Sequence, residues 1–318
     1  MRRALALAIA VLGLAAVALT GSGCGVGAGE EEAIEGSLTV TQDFGGQSIG
    51  RRRTAGASES DTVMRLLQRD FEVETRFGGN FVQEIDGVAG GLDGRRRVDW
   101  FYYVNGIEAS NGAAERRVSP GDRIWWDHHD WSAAMRIPAV VGSFREPFAS
   151  GSEGKRIPVR LVCLDGAGGA CDEVEERLLA AGIDDTGRSV LEQSAGAEVL
   201  RVLVGPWPEV RKDAAARKLE SGPGASGVFA RPVAEGDRID LLDATGRTAR
   251  TLGRGGGLVA ATRIEAQQPT WLVTGVDAAG IAAAAAAFTE EELRDRFAIA
   301  VEEGQPLPLP IVLPGRGE

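Results

Sequence analysis

Apolar and polar positions alternate in short runs along this 318-residue chain, and the period of each run predicts an element. Residues 37–43 (SLTVTQD) alternate as a strand does, and residues 45–60, rich in Gly, Ser and Arg, read as a loop. Val63, Leu66, Leu67 and Phe71 recur at i, i+3, i+4 and i+8 behind Asp61, which predicts a capped helix laying one apolar stripe on a sheet. Strand patterns follow near 71–77 and 80–85, then a turn at 90–97. The run VDWFYYV at 98–104 ends at Asn105-Gly106, a strong hairpin signal. Residues 119–122 make the last turn before RIWWDHHDW at 123–131.

The rhythm changes beyond residue 136. Residues 136–154 carry Pro138, Pro147 and a Ser/Gly end and read as a linker. Strand patterns then stand at 157–163, 197–204, 227–232, 238–243, 258–264, 270–274 and 297–301. Between them come a helix at 172–181 with Val174, Leu178 and Leu179 on one side, a helix at 207–220 opened by Pro208, and an Ala-rich helix capped by Asp277. Thr289 with Glu292 forms a capping box for a further short helix. The pattern predicts an α+β fold class: a small domain over 37–133, a linker over 134–154, and an α/β or α+β domain with a mixed sheet over 155–304. Pro306, Pro308, Pro310 and Pro314 mark 305–318 as an extended tail.

The first residues read as an address. Met1, Arg2 and Arg3 precede an unbroken apolar or Gly run at 4–19, shorter than the roughly 20 apolar residues of a spanning helix, which is a secretory signal pattern. Thr20-Gly21-Ser22-Gly23-Cys24 resembles the lipobox of bacterial lipoproteins, whose Cys is lipidated and becomes the new N-terminus; Gly21 stands where Leu is commoner. Residues 1–24 are thus expected to be a lipoprotein signal ending at a lipidated Cys24. Residues 25–36, with Glu30, Glu31, Glu32 and Glu35, are expected to be a solvated acidic tether. The expected location is the extracytoplasmic face of the cell membrane, held by the lipid anchor. An even pair, Cys163 and Cys171, remains in an oxidising compartment across a strand, loop and helix, which predicts a disulfide; two buried free thiols are the alternative.

A net charge of −11 argues against nucleic acid as the main partner, because phosphate binding needs a basic surface. Both Tyr, both His and four of the six Trp lie between Trp100 and Trp131, more than one small core is expected to bury. On a strand Trp125, Asp127, His129 and Trp131 share one face and Trp126, His128 and Asp130 the other. One set is therefore expected at the surface as a recognition patch for a flat ligand, a sugar or a peptide, with core packing and a wet edge as the alternative. Asp127 with His129, or His128 with Asp130, offers a metal only two ligands, and no metal site is expected. Arg51, Arg52 and Arg53, Arg95, Arg96 and Arg97, and Arg116 with Arg117 fall in loops or turns, where they either hold an anionic ligand or lipid or are simply solvated. The loop at 166–169 reads as a structural turn, since Asp172 and Glu173 behind it would repel phosphate.

One set of residues resembles a known family. The order of an early strand, a helix, then W-F-Y-Y-V-N-G and P-G-D-R-I-W-W is carried by Trp100, Tyr102, Asn105, Gly106, Gly121, Asp122 and Trp126. It resembles the C-terminal β-domain of transcobalamin and intrinsic factor, and more closely the uncharacterised bacterial family related to that domain, over about 95 residues. The resemblance implies a β-grasp-like fold for the small domain. In the vertebrate members this domain helps to cover cobalamin, so it also implies a corrinoid or other large planar ligand. The resemblance and the aromatic crowding together give Trp100, Tyr102, Asn105, Trp125, Trp126, His128, His129 and Trp131 as the expected ligand-binding residues, and either His would serve chemically as an axial ligand to cobalt.

No H-E-x-x-H, G-x-S-x-G, C-x-x-C or Walker pattern occurs, and the two His fall in one strand, so no catalytic residue is assigned and the chain is expected not to be an enzyme. The expected function is a membrane-anchored lipoprotein that binds a small molecule and serves an uptake transporter, with cobalamin as a candidate ligand and no other cofactor. The alternative is an envelope protein that meets proteins or glycans through the aromatic patch.

Overall fold

The computed structural model describes residues 36–54, 60–79, 81–194 and 198–312; Cys24, the expected signal and the tether up to residue 35 lie outside them. The first half contains β1 (Ser37–Gln42), β2 (Gln47–Arg53), α1 (Val63–Asp70), β3 (Val73–Arg76), β4 (Phe81–Ile85), β5 (Val88–Ala89), β6 (Gly91–Asp93), β7 (Arg96–Val104), β8 (Ile107–Glu108) and β9 (Arg123–Asp130). Its main sheet runs β2-β1-β9-β7-β6, with β8 paired on β7. β1 is parallel to β9 and its other neighbour is antiparallel. On one face α1 buries Val63, Leu66 and Leu67 against Leu38, Val40, Ile124 and Trp126, as their spacing predicts.

Two local expectations change. Residues 47–53 pair with β1 instead of looping, because Asp43, Phe44 and Gly45 at positive φ reverse the chain tightly enough to bring the arginine run alongside it. The cap of α1 is Thr62, whose Oγ1 accepts from Arg65 N at 3.3 Å, not Asp61.

The second half contains β10 (Val159–Cys163), α2 (Ala170–Ala180), β11 (Thr186–Ser189), α3 (Leu191–Ser194), β12 (Leu200–Val204), α4 (Trp207–Val210), α5 (Ala214–Arg217), α6 (Pro223–Ser226), β13 (Ala230–Pro232), β14 (Ile239–Leu242), β15 (Thr248–Leu252), β16 (Gly257–Thr262), β17 (Thr270–Gly275), α7 (Ala278–Ala286), α8 (Glu290–Leu293), β18 (Ala298–Glu302) and β19 (Gln305–Leu309). Its large sheet runs β11-β10-β12-β17-β16-β18-β19, parallel up to β17 and antiparallel beyond. α2 and α7 cover one face through Val174, Leu178, Ile281 and Ala284. Tyr103 and Trp125 of the first sheet, Phe229 just before β13 and Leu241 of β14 cover the other, over Leu203, Ala260, Leu272 and Ala300. Strands buried on both faces have no polar side to show, which is why β12, β16 and β17 read as near-continuous apolar runs. The architecture is mixed α+β.

The segment read as a linker is packed. Ile137, Ala139, Val140, Val141, Phe144 and Phe148 are buried, and Val140 and Val141 enter the core clusters on opposite faces of the large sheet. Its Pro and Gly residues shape turns, but its apolar residues outweigh them. The described residues accordingly fall within one compact unit. The helix expected at 207–220 is broken, because Asp213 turns its carboxylate onto Ala215 N and Ala216 N and starts a new turn. Leu179 points outward, and Ile183 takes the buried place beside Leu178. The proline tail begins as the edge strand β19, where Pro306 and Pro308 pair with Val301 and Ile299 and a missing N–H is tolerated.

Candidate functional site

The aromatic strand does not make a surface patch. Trp125, Trp126, Trp100 and His129 are each at most 5% exposed, because the sheet is covered on both faces. On the α1 side Trp126 stacks on Tyr102 with ring centres 4.8 Å apart, Trp100 Nε1 donates to Val88 O at 2.9 Å, and Tyr102 OH donates to Asn111 O at 2.6 Å. Burial pushes the Tyr102 phenol up to about 12. On the other side Trp125 and Tyr103 meet Phe297 edge-on at 5.1 and 5.6 Å. The sequence could not show that the second half supplies a lid for this face.

Of the two histidines, His129 is enclosed and His128 is partly open to solvent. His129 lies between Phe44 and Phe101, ring centres at 4.7 and 4.5 Å, and its Nδ1 donates to Asp127 Oδ1 at 2.9 Å. His128 is half-buried, with Nε2 3.1 Å from Ala89 O, and desolvation lowers its pKa. Among the described residues no three His, Cys, Asp or Glu side chains group as metal ligands. Trp131 is half-buried, with the Arg97 guanidinium 4.5 Å from its ring centre.

Asn105, with Gly106, Gly121 and Asp122, forms a structural lock. Asn105 takes φ +55° and Gly106 φ +74° in the tight turn, and a Cβ on Gly106 would come 2.7 Å from Val140 O. Asn105 Nδ2 donates to Asp122 Oδ1 at 2.8 Å and to Gly151 O at 3.0 Å, while its Oδ1 accepts from Arg123 N at 2.8 Å. Asp122 also accepts from Ser119 N at 2.9 Å, and burial raises its pKa. These side chains spend their hydrogen bonds on the chain itself.

What does reach solvent is a basic cleft of about 360 Å³ where the first sheet meets the end of α8. Arg51 and Arg53 face it from edge strand β2, while the Arg52 guanidinium lies over the Phe71 ring at 5.2 Å on the other face; Arg123 comes from β9 and Arg294 from the turn after α8, with Trp125 behind them. Arg51 pairs with Asp295, and Arg123 with Glu290 at 2.7 Å. Burial raises the Asp295 carboxyl while Arg51, Arg294 and Arg296 pull it down. The arginine run was visible in the sequence, but Asp295, the partner of Arg51, stands 244 residues away and carries no local signal. The other arginine groups are largely engaged: Arg96 pairs with Asp43 at 2.8 Å, and Arg116 with Glu153 at 3.6 Å.

Cys163 and Cys171 form the expected disulfide, with their Cα atoms 5.7 Å apart at the carboxyl end of β10. The adjoining Gly-rich turn packs against the loop after β12, where a Cβ on Gly166 would meet Pro206 at 3.2 Å.

Residues 60–130 match the model of a family described as a domain of unknown function (DUF4430). That stretch contains all seven residues that carry the transcobalamin-like resemblance. No curated protein matches the chain. Among solved structures, a candidate metal binding protein from Ruminococcus gnavus ATCC 29149 aligns at 16% identity and a TM-score of 0.24, over 30% of this chain and 96% of its own. Haptocorrin in complex with Cbi aligns at the same identity and TM-score over 30% of this chain, which spans only 25% of haptocorrin's length.

Proposed function

We propose that the protein is a membrane-anchored, extracytoplasmic binding protein rather than an enzyme, and that its first half is a β-grasp-like ligand module of the transcobalamin type. The carrying observation is the arginine-lined cleft, a solvent-reaching site that both halves build. Its ligand is a corrinoid or similarly large molecule whose amide or phosphate groups meet Arg51, Arg53 and Arg294, so the contact is polar and peripheral instead of aromatic stacking. The signal pattern and Cys24 support the anchor, and the Cys163–Cys171 disulfide agrees with an oxidising compartment. An uptake transporter in the same membrane is the implied partner.

Cobalamin titrated into the full-length protein should quench tryptophan fluorescence saturably after inner-filter correction. Replacing Arg51, Arg53 and Arg294 together by Gln should weaken it about tenfold or more. No heat in calorimetry and no retention on immobilised corrinoid at high micromolar concentration would remove the corrinoid. For the anchor, Cys24→Ala should release the protein from membranes or leave it unprocessed; unchanged partition with normal trimming would refute lipidation.

A second reading rests on different surface. Phe77 and Leu92 are 81% and 80% exposed at two hairpin tips, which suits contact with an envelope protein or glycan. Retention of peptidoglycan by the wild type, lost in Phe77→Ser/Leu92→Ser, would favour it.

A further inference from the structure

A second cavity, of about 220 Å³, lies at the opposite end of the large sheet from the disulfide, where parallel strands β10 and β11 begin. The Arg145 side chain enters it from the buried segment before β10, beside the end of α2: a Cβ on Gly182 would lie 4.0 Å from Arg145 Nη1. Arg145 is half-buried, and its Nε is sealed from solvent without an acceptor. Among the described residues it makes no ion pair within 4.0 Å. The adjacent Glu146 carboxylate is committed elsewhere, accepting from Ser150 N at 2.7 Å and Ser150 Oγ at 3.1 Å. The Nε is closed to the cavity as it is to bulk solvent, so a ligand in the cavity meets the Nη atoms, and a half-buried guanidinium with no carboxylate partner is available to one there.

The rest of the lining indicates what would pair with it. Phe148, Ala149, Ile157 and Pro158 give the cavity apolar walls, while exposed Arg156, Asp184 and Asp185 complete its lining. A guanidinium fork matches a planar carboxylate through two parallel hydrogen bonds. The apolar walls suit a compact hydrocarbon body, and the two aspartates disfavour a dianion such as phosphate. We propose that this cavity binds a small monocarboxylic acid with an apolar body, its carboxylate on Arg145. The site is separate from the arginine cleft and stands whether or not that cleft binds a corrinoid.

Benzoate is the probe, titrated into the full-length protein by calorimetry and ligand-observed NMR, with inorganic phosphate in parallel. Benzoate should saturate with a Kd of about 1 mM and phosphate should bind more weakly. Arg145→Gln should weaken benzoate about tenfold or more, and Asp184→Asn/Asp185→Asn should tighten it about threefold. Cobalamin and benzoate should bind without competing. No saturation by the wild type at about 20 mM, or equal affinity in Arg145→Gln, would overturn the site, and phosphate binding tighter than benzoate would overturn the monocarboxylate. Should Arg145→Gln fail to fold, the double aspartate variant decides, since its substitutions are exposed: unchanged or weaker benzoate binding overturns the proposal.

Discussion

The Asp127 carboxyl has no solvent contact and takes four hydrogen bonds, from Thr41 Oγ1 at 2.5 Å, Phe44 N at 3.0 Å, Gly45 N at 2.8 Å and His129 Nδ1 at 2.9 Å. Trp125 Nε1 extends the chain by donating to Thr41 Oγ1 at 2.7 Å. One side chain thus fastens the β1–β2 turn to the middle of the sheet. Asp127→Ala strands all these donors and should lower stability by about 3–5 kcal/mol in urea unfolding, whereas Asp127→Asn keeps one acceptor and should lose about half of that. A loss under 1 kcal/mol for Asp127→Ala would show the network to be dispensable. The neighbouring His128 makes a pH-dependent contribution. Desolvation depresses its folded pKa, so the unfolded chain binds the proton more readily; its stabilisation is complete above the ordinary histidine pKa and declines as pH falls below it. The stability gap between wild type and His128→Gln should be constant above about pH 7 and narrow towards pH 5. Measuring the gap cancels the opposite trend from the raised carboxyls of Glu108, Asp122 and Glu146. The sequence showed Asp127 and His129 on one face of a strand, which is correct. It could not show that three of the four donors sit more than 80 residues earlier, in β1 and the turn after it.

Elements were legible where the pattern was local. The stripe of α1, the Asp277 cap of α7 and the Asn105-Gly106 turn follow from residues within a few positions of each other. Strand β2 and the broken helix at 207–220 were missed because a tight turn at positive φ and an internal cap at Asp213 leave no mark in the hydrophobic period, and the buried 134–154 segment because its partners are distant in sequence. α7 gives a sharp test of the difference. Gly280 sits inside this Ala-rich helix, and by propensity Gly280→Ala should stabilise it by about 1 kcal/mol. The added Cβ would instead lie 2.1 Å from Gly256 O, the same carbonyl that accepts Val276 N at 2.9 Å. Backbone cannot yield cheaply, so Gly280→Ala should cost about 2–3 kcal/mol; a gain would mean that the helix and the turn at 253–257 are less closely packed than described. The Cys163–Cys171 bridge ties β10 to α2 across eight residues. Replacing both Cys by Ser should lower stability by about 2–3 kcal/mol through loop-closure entropy. Mass spectrometry of unreduced protein should show the linked peptide, and full alkylation without reduction would refute it.

At the scale of the molecule, the composition suggested two bodies on a linker, but the large sheet buries one face against the first sheet. Phe297, just before β18, is the hinge of that contact: Trp125, Phe44 and Tyr103 all meet it edge-on at 5.1–5.6 Å, and His129 at 5.3 Å. A core shared in this way couples the halves, because neither can unfold without exposing the other's apolar face. The full chain should therefore unfold in one calorimetric transition. Phe297→Ala should remove about 3–5 kcal/mol and lower that single transition as a whole. The segment 36–133 alone would leave Trp125, Tyr103 and Phe44 uncovered, and it should bind a hydrophobic dye and lack a cooperative transition. The cleft depends on the same coupling, since Arg51 and Arg123 reach Asp295 and Glu290 only while the sheets are docked. Ligand bound there should raise the midpoint of the whole transition, and should not bind 36–133. Two separate transitions, with Phe297→Ala moving only one of them, would mean that the halves are independent and that the ligand site must lie within one of them.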